Sequence, residues 1–202
     1  MKKRKKLMDV VFILDRSGSM RGTEKDTIGG YNGYFNNFKS KNAKITTILF
    51  DDKYEMITKR QDVNLVPKLT EKQYYVRGCT VLLDAIGKSI IFMEKENTKK
   101  VMFIITTDGY ENASRKFTKE QIKEMVQSHK EWGFMYIGAD IDSYSEGQSI
   151  GINSSNISNY KKNGRGISKM FKAMFIASDE FCEEDCIDFS WKEELEEYSE
   201  EN

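Results

Sequence analysis

Three short polar clusters concentrate the hard oxygen atoms of this chain. Asp15-Arg16-Ser17-Gly18-Ser19, Gly78-Cys79-Thr80 and Thr106-Thr107-Asp108-Gly109 together offer two carboxylates and several hydroxyls, with no imidazole among them. Such a donor set suits Mg²⁺ or Mn²⁺ rather than zinc or copper. Ser17 and Ser19 lie two apart, so a turn directs both hydroxyls at one point, and Gly18 lets the backbone fold tightly around it. A divalent ion held mainly by neutral hydroxyls and water stays strongly electrophilic and accepts an outside carboxylate as its last ligand. Taken singly, each cluster also reads as ordinary structure: an N-capping turn at Asp15, Ser17 and Ser19, a helix cap at Thr80, a turn residue at Asp108.

The elements around these clusters decide whether they meet. Met8 to Leu14 is a continuous β-favouring apolar run, the pattern of a strand buried on both faces of a parallel sheet, and similar runs recur at Ile45 to Phe50, Val101 to Thr106 and Phe134 to Ile137. Helical stripes lie between and after them: Ile28, Tyr31, Phe35 and Phe38; Leu83, Ile86, Ile90 and Met93; Ile122, Met125, Val126 and His129; Ile167, Met170, Phe171, Met174 and Phe175. This alternation predicts an α/β fold, a doubly wound open sheet with helices on both faces. Phe50 to Tyr54 is too short for a crossover helix, so the third strand is expected to pair antiparallel with the second. In such sheets ligands collect beyond the carboxyl ends of the strands, where the strand order reverses. The first cluster ends the first strand and the third ends the fourth strand.

With the clusters in that order at successive strand ends, residues 7–178 resemble a von Willebrand factor A (vWA) domain with an intact metal-ion-dependent adhesion site. The resemblance rests on Asp-Arg-Ser-Gly-Ser at 15–19, Thr80 within Gly-Cys-Thr-Val-Leu-Leu-Asp-Ala-Ile, and Thr-Thr-Asp-Gly-Tyr-Glu-Asn at 106–112. The chain is similar in particular to small stand-alone bacterial or phage vWA proteins. The resemblance implies strand order 3-2-1-4-5-6 with strand 3 antiparallel, in a Rossmann-like sheet. It further implies Ser17, Ser19 and Thr80 as direct metal ligands, with Asp15 and Asp108 holding metal-bound water or coordinating directly. A partner's glutamate or aspartate would fill the remaining position. Mg²⁺ is the expected ion, with Mn²⁺ next and Ca²⁺ less suited. Cys79 stands where such domains commonly have glycine or serine, a change that touches packing and removes no ligand.

Composition bounds the alternatives. The chain has 202 residues with 32 basic and 32 acidic side chains, so no global field points to nucleic acid or to an anionic membrane. The ends are asymmetric: residues 2–6 form a basic extension, and residues 179–202 carry twelve acidic side chains against Lys192 alone. That acidic stretch places Trp191, Leu195 and Tyr198 at helical spacing, so a short helix laid on the domain and a solvated tail are both consistent with it. Three cysteines do not make a disulfide framework, and one histidine excludes His-rich metal sites. Together with the lack of a membrane-length apolar run, this reads as a cytoplasmic protein.

Other residues that invite a functional reading have structural ones. His129 falls on an apolar stripe and is expected to be a satisfied, half-buried residue. Gly29, Gly30 and Gly33 miss the spacing of phosphate-binding loops, and close packing of the first helix on the sheet accounts for them. Cys182 and Cys186 sit among acidic residues that raise thiol pKa, which argues against a reactive pair.

The function expected is therefore a metal-dependent protein-binding module and not an enzyme. A Mg²⁺-dependent hydrolase or phosphotransferase lacks a positioned general base beyond the carboxylates, and a scaffold with a purely structural metal is a third reading. The partner is an unknown protein offering an acidic side chain. The chain's own acidic tail is a candidate, masking the metal.

Overall fold

The computed structural model describes residues 7–39 and 41–200, so the basic extension at 2–6 lies outside the described residues. Strand β1 (Met8–Asp15) is buried along its whole length, as its unbroken apolar run requires. It lies between β2 (Ala43–Phe50) and β4 (Val101–Thr107), parallel to both. Strands β5 (Gly133–Gly138) and β6 (Ile157–Asn159) continue the sheet in parallel, while β3 (Tyr54–Asp62) pairs antiparallel with β2. The order is 3-2-1-4-5-6. The hairpin turn closes with Phe50 opposite Tyr54, the short connection that forbids a crossover helix.

Because side chains alternate across a strand, β1 feeds two cores. Met8, Val10, Phe12 and Leu14 face α1 (Glu24–Phe38) and α5 (Gly164–Glu184), whereas Val11 and Ile13 face α2 (Leu82–Lys95) and α3 (Lys119–Ser128). Around Phe12 the aromatic rings of Tyr31, Tyr34 and Phe35 meet edge to face at centroid distances of 5.0–5.7 Å. Such contacts add to the area buried. No helix among the described residues is long and apolar enough to cross a membrane.

Several local expectations need correction. Helix α4 (Ser143–Ser149) and the three-residue β6 have no counterpart among the patterns read from sequence. His129 is not part of the α3 stripe but the residue after the helix; its ring stacks on Trp132 at 3.9 Å and its Nδ1 lies 2.8 Å from the Met125 carbonyl oxygen. Gly30 packs against a helix and not against the sheet: a Cβ there would lie 2.0 Å from the Phe171 ring on α5, while Gly29 and Gly33 face open space.

Helix α5 runs through the boundary expected at 178/179 and stops at Glu184, where Asp185 adopts φ +60°. Cys182 is buried within α5 and Cys186 is exposed beyond it, so the two do not share a helical face. The acidic stretch then forms a 3₁₀ turn (Phe189–Lys192) and α6 (Glu193–Glu200), with Trp191 and Leu195 inserted into the α1/α5 core. Of the two forms open to that stretch, the structure shows the docked helix.

Candidate metal centre

The edge of the sheet where β1 and β4 end side by side gathers the three polar clusters. Asp15 is the last residue of β1 and is fully buried. Its Oδ1 accepts the Ser17 backbone N–H at 2.6 Å and its Oδ2 accepts the Thr107 hydroxyl at 2.6 Å. Burial pushes the Asp15 carboxyl up to about 6, against the hydrogen bonds from Thr107 and Ser17 and with a smaller upward push from Asp108.

Beyond Asp15 the chain turns through a single 3₁₀ turn (Gly18–Met20). That turn brings the Ser17 and Ser19 hydroxyl oxygens to 3.0 Å of each other, as their spacing predicts. Ser19 donates to Asp108 Oδ1 at 2.5 Å, tying the first cluster to the third. The first and second clusters are joined by backbone: Gly18 N–H donates to Gly78 O at 3.1 Å and Arg77 N–H to Arg16 O at 3.0 Å. Gly78 has φ +69°, and a Cβ there would lie 2.7 Å from Asp52 Oδ1, so this junction requires glycine.

Thr80 is held by two bonds to Asn112, in the loop that follows the third cluster. Its N–H donates to Asn112 Oδ1 at 3.0 Å, and its carbonyl accepts the Asn112 N–H at 3.2 Å. A Cβ built on Gly109 would stand 3.1 Å from Ser19 Oγ and 3.3 Å from Thr80 Oγ1, so both hydroxyls flank the same glycine. All five sequence-derived residues, Asp15, Ser17, Ser19, Thr80 and Asp108, thus lie in one hydrogen-bonded assembly at the carboxyl edge of the sheet.

The residues present fit a hard divalent cation. Asp108 Oδ2 is buried and accepts no aligned hydrogen bond; its near neighbour is Lys162 Nζ at 2.8 Å. Among the described residues no group of three or more His, Cys, Asp or Glu side chains is placed to hold a metal. An ion at this edge would therefore be bound chiefly by hydroxyls, with carboxylates in the minority. That donor set excludes the thiolate and imidazole chemistry of zinc and copper sites.

Three supporting groups had no role in the sequence reading. Arg16 is fully buried and donates to Asp51 Oδ2 (2.8 Å), Glu55 Oε2 (2.6 Å) and the Gln73 carbonyl (2.9 Å). Asp51 also accepts from Arg77 Nε at 2.8 Å, and its carbonyl accepts the Val81 N–H at 3.0 Å, so one residue of the β2–β3 turn clamps both the Ser17 and Thr80 loops. Glu111 accepts the Leu83 N–H at 2.9 Å and binds the N-terminal turn of α2 to the third cluster. The third group, Lys162, donates to the Ser19 carbonyl at 2.5 Å as well as facing Asp108.

Neither a protein-family model nor a curated protein matches this sequence. Solved structures do. A von Willebrand factor type A structure from Catenulispora acidiphila aligns with a TM-score of 0.63 at 15% identity, over 85% of this chain and 42% of that one. The fold is that of a vWA domain. The manganese-loaded TRAP protein of Plasmodium vivax aligns with a TM-score of 0.59 at 20% identity, over 81% of this chain and 72% of that one. Proximal thread matrix protein 1 from the mussel byssus, solved with a zinc-occupied MIDAS motif, gives 0.61 at 14% identity, over 83% of this chain and 44% of that one. This chain therefore spans less than half the length of the byssus and Catenulispora proteins, and the shared part is the vWA fold.

Proposed function

We propose that this chain is a metal-dependent protein-binding module of the vWA family. Ser17, Ser19 and Thr80 would hold Mg²⁺ or Mn²⁺ directly, with Asp15 and Asp108 around it. When bound, the cation supplies a Lewis-acidic centre that attracts a carboxylate oxygen of a partner's aspartate or glutamate. The observation that carries this reading is the meeting of the Ser17, Ser19 and Thr80 hydroxyls, from two separate loops, beside Asp108, whose Oδ1 accepts the Ser19 hydroxyl and whose Oδ2 is buried without an aligned hydrogen bond. A structural neighbour with a zinc-occupied MIDAS motif and another loaded with manganese support a divalent ion in this fold.

Binding is favoured over catalysis by where the remaining reactive groups sit. His129 precedes β5 and so lies at the opposite edge of the sheet from the cluster. Two glutamates of the docked C-terminal helix have other engagements: Glu194 pairs with Lys169 and Lys172, and Glu196 with Tyr144 and Lys192. We therefore assign the partner carboxylate to another protein.

Calorimetric titration of Mg²⁺ and Mn²⁺ into chelator-treated wild type and an Asp15→Ala/Ser17→Ala variant tests the reading, with and without acetate. Binding in wild type alone, tightened by acetate, is the expected result. Absent binding, or equal binding in both proteins, rejects the assignment. Metal-dependent melting with no response to acetate would favour the structural-scaffold reading.

A further inference from the structure

Lys162 occupies the turn between β6 and α5, and that turn is held rigidly. Asn163 caps α5 through Gly166 N–H at 2.8 Å, its own N–H donates to Lys161 O at 2.8 Å, and a Cβ at Gly166 would lie 1.9 Å from that same carbonyl. From this fixed base the lysine arm reaches 143 residues back in sequence to the Ser19 carbonyl. Its ammonium lies 2.8 Å from Asp108 Oδ2 and 3.9 Å from Asp140 Oδ2. The Lys162 side chain keeps about a fifth of its surface exposed, with a relative exposure of 22%, so it has solvent to withdraw into.

We propose that Lys162 is a tethered cation that competes with the divalent ion for Asp108 and so sets the metal affinity of the site. This rests on the metal reading above. A doubly charged ion beside Ser19 and Asp108 shares its acceptors with the ammonium, and like charges at that separation repel even where water screens them. Lys162 must move outward as the ion enters, and part of the binding free energy goes into that displacement. A lysine that only braced the loop would have the opposite signature: its removal would loosen the site and weaken the metal.

The test compares wild type, Lys162→Met, Lys162→Gln and Lys161→Met by calorimetric Mg²⁺ titration and by thermal melts in chelator and in saturating Mg²⁺. Lys161 is the control for charge alone, because it is the neighbouring lysine and its ammonium lies over the Tyr198 ring at 5.2 Å. Both Lys162 variants should bind Mg²⁺ about tenfold more tightly than wild type. They should also melt lower than wild type in chelator and gain more on Mg²⁺ addition, while Lys161→Met stays within about twofold of wild-type affinity. Wild type that binds Mg²⁺ while the Lys162 variants bind it equally or more weakly overturns this proposal alone. A gain in Lys161→Met as large as in Lys162→Met also overturns it. No Mg²⁺ binding by any of the four proteins, with acetate present, overturns the metal reading and this proposal with it.

Discussion

Asp15 concentrates the electrostatic cost of the site in one side chain. Its carboxyl sits at about 6 in the folded protein, against 3.8 for the ordinary group, because burial outweighs the bonds from Thr107 and Ser17. The folded state therefore holds this proton more tightly than the unfolded chain. Stability from that preference is fully present below 3.8 and is lost as the pH rises through about 6. Above that window, in chelator, the fold carries a penalty of about 3 kcal/mol for a buried carboxylate. Urea denaturation of wild type and Asp15→Asn between pH 4 and pH 8 should show it. The variant is expected to gain on wild type by that amount across the range, and a pH-independent difference would refute the argument. Added Mg²⁺ should remove most of the wild-type deficit at pH 8, since a cation at Asp15 favours the charged form that burial opposes.

The same side chains owe their meeting to elements that differ in how plainly the sequence announces them. Strands β1, β2, β4 and β5 were legible because they are covered on both faces, and that environment leaves a run of predominantly apolar, β-favouring residues. Asp15 and Asp108 could be placed at the carboxyl edge for that reason: each sits where such a run stops. Strand β6 is only Ile-Ser-Asn and α4 is Ser-Tyr-Ser-Glu-Gly-Gln-Ser with Ser143 and Gly147 buried, so neither carries a periodic apolar signal. Lys162 was illegible for a further reason, since its contact joins residues far apart in sequence through a loop with no motif. Helix α1 shows the limit of pattern in another way, because its three glycines look alike in sequence and differ in space. Gly30→Ala should destabilise by about 1–3 kcal/mol, as its methyl meets the Phe171 ring. Gly29→Ala meets nothing within 4 Å and should stabilise by up to about 1 kcal/mol from helix propensity. Thermal melts of the two variants should move in opposite directions; shifts of the same sign would mean that α1 and α5 are not packed as described.

At the scale of the whole molecule, the acidic C-terminal segment closes one core. Trp191 and Leu195 are each 1% exposed and pack with residues of α1, α5 and β1. Trp191 Nε1 donates to the Ser155 carbonyl at 3.0 Å, and Lys192 Nζ reaches the Ser154 and Ile157 carbonyls at 3.2 and 3.0 Å, so the segment also caps the backbone leading into β6. Its charge is spent on docking: Lys169 and Lys172 hold the Glu194 carboxyl down at about 2. A masking tail would have to leave these partners to reach Asp108, and would then withdraw Trp191 from the core. Cutting the chain after Ser178 removes the last turns of α5 together with that indole, so loss of stability is the expected outcome and not a freed binding site. Trp191→Ala alone should cost about 3–5 kcal/mol in urea denaturation. Removing the paired charges with Glu194→Gln/Glu196→Gln separates the two effects, because it leaves the indole in place. If the tail served as a mask, this double variant would bind acetate more tightly in Mg²⁺ with an unchanged melting temperature. If the tail is structural, as its contacts indicate, carboxylate affinity should stay within about twofold of wild type while the melting temperature falls slightly, by the small amount expected for partly exposed ion pairs.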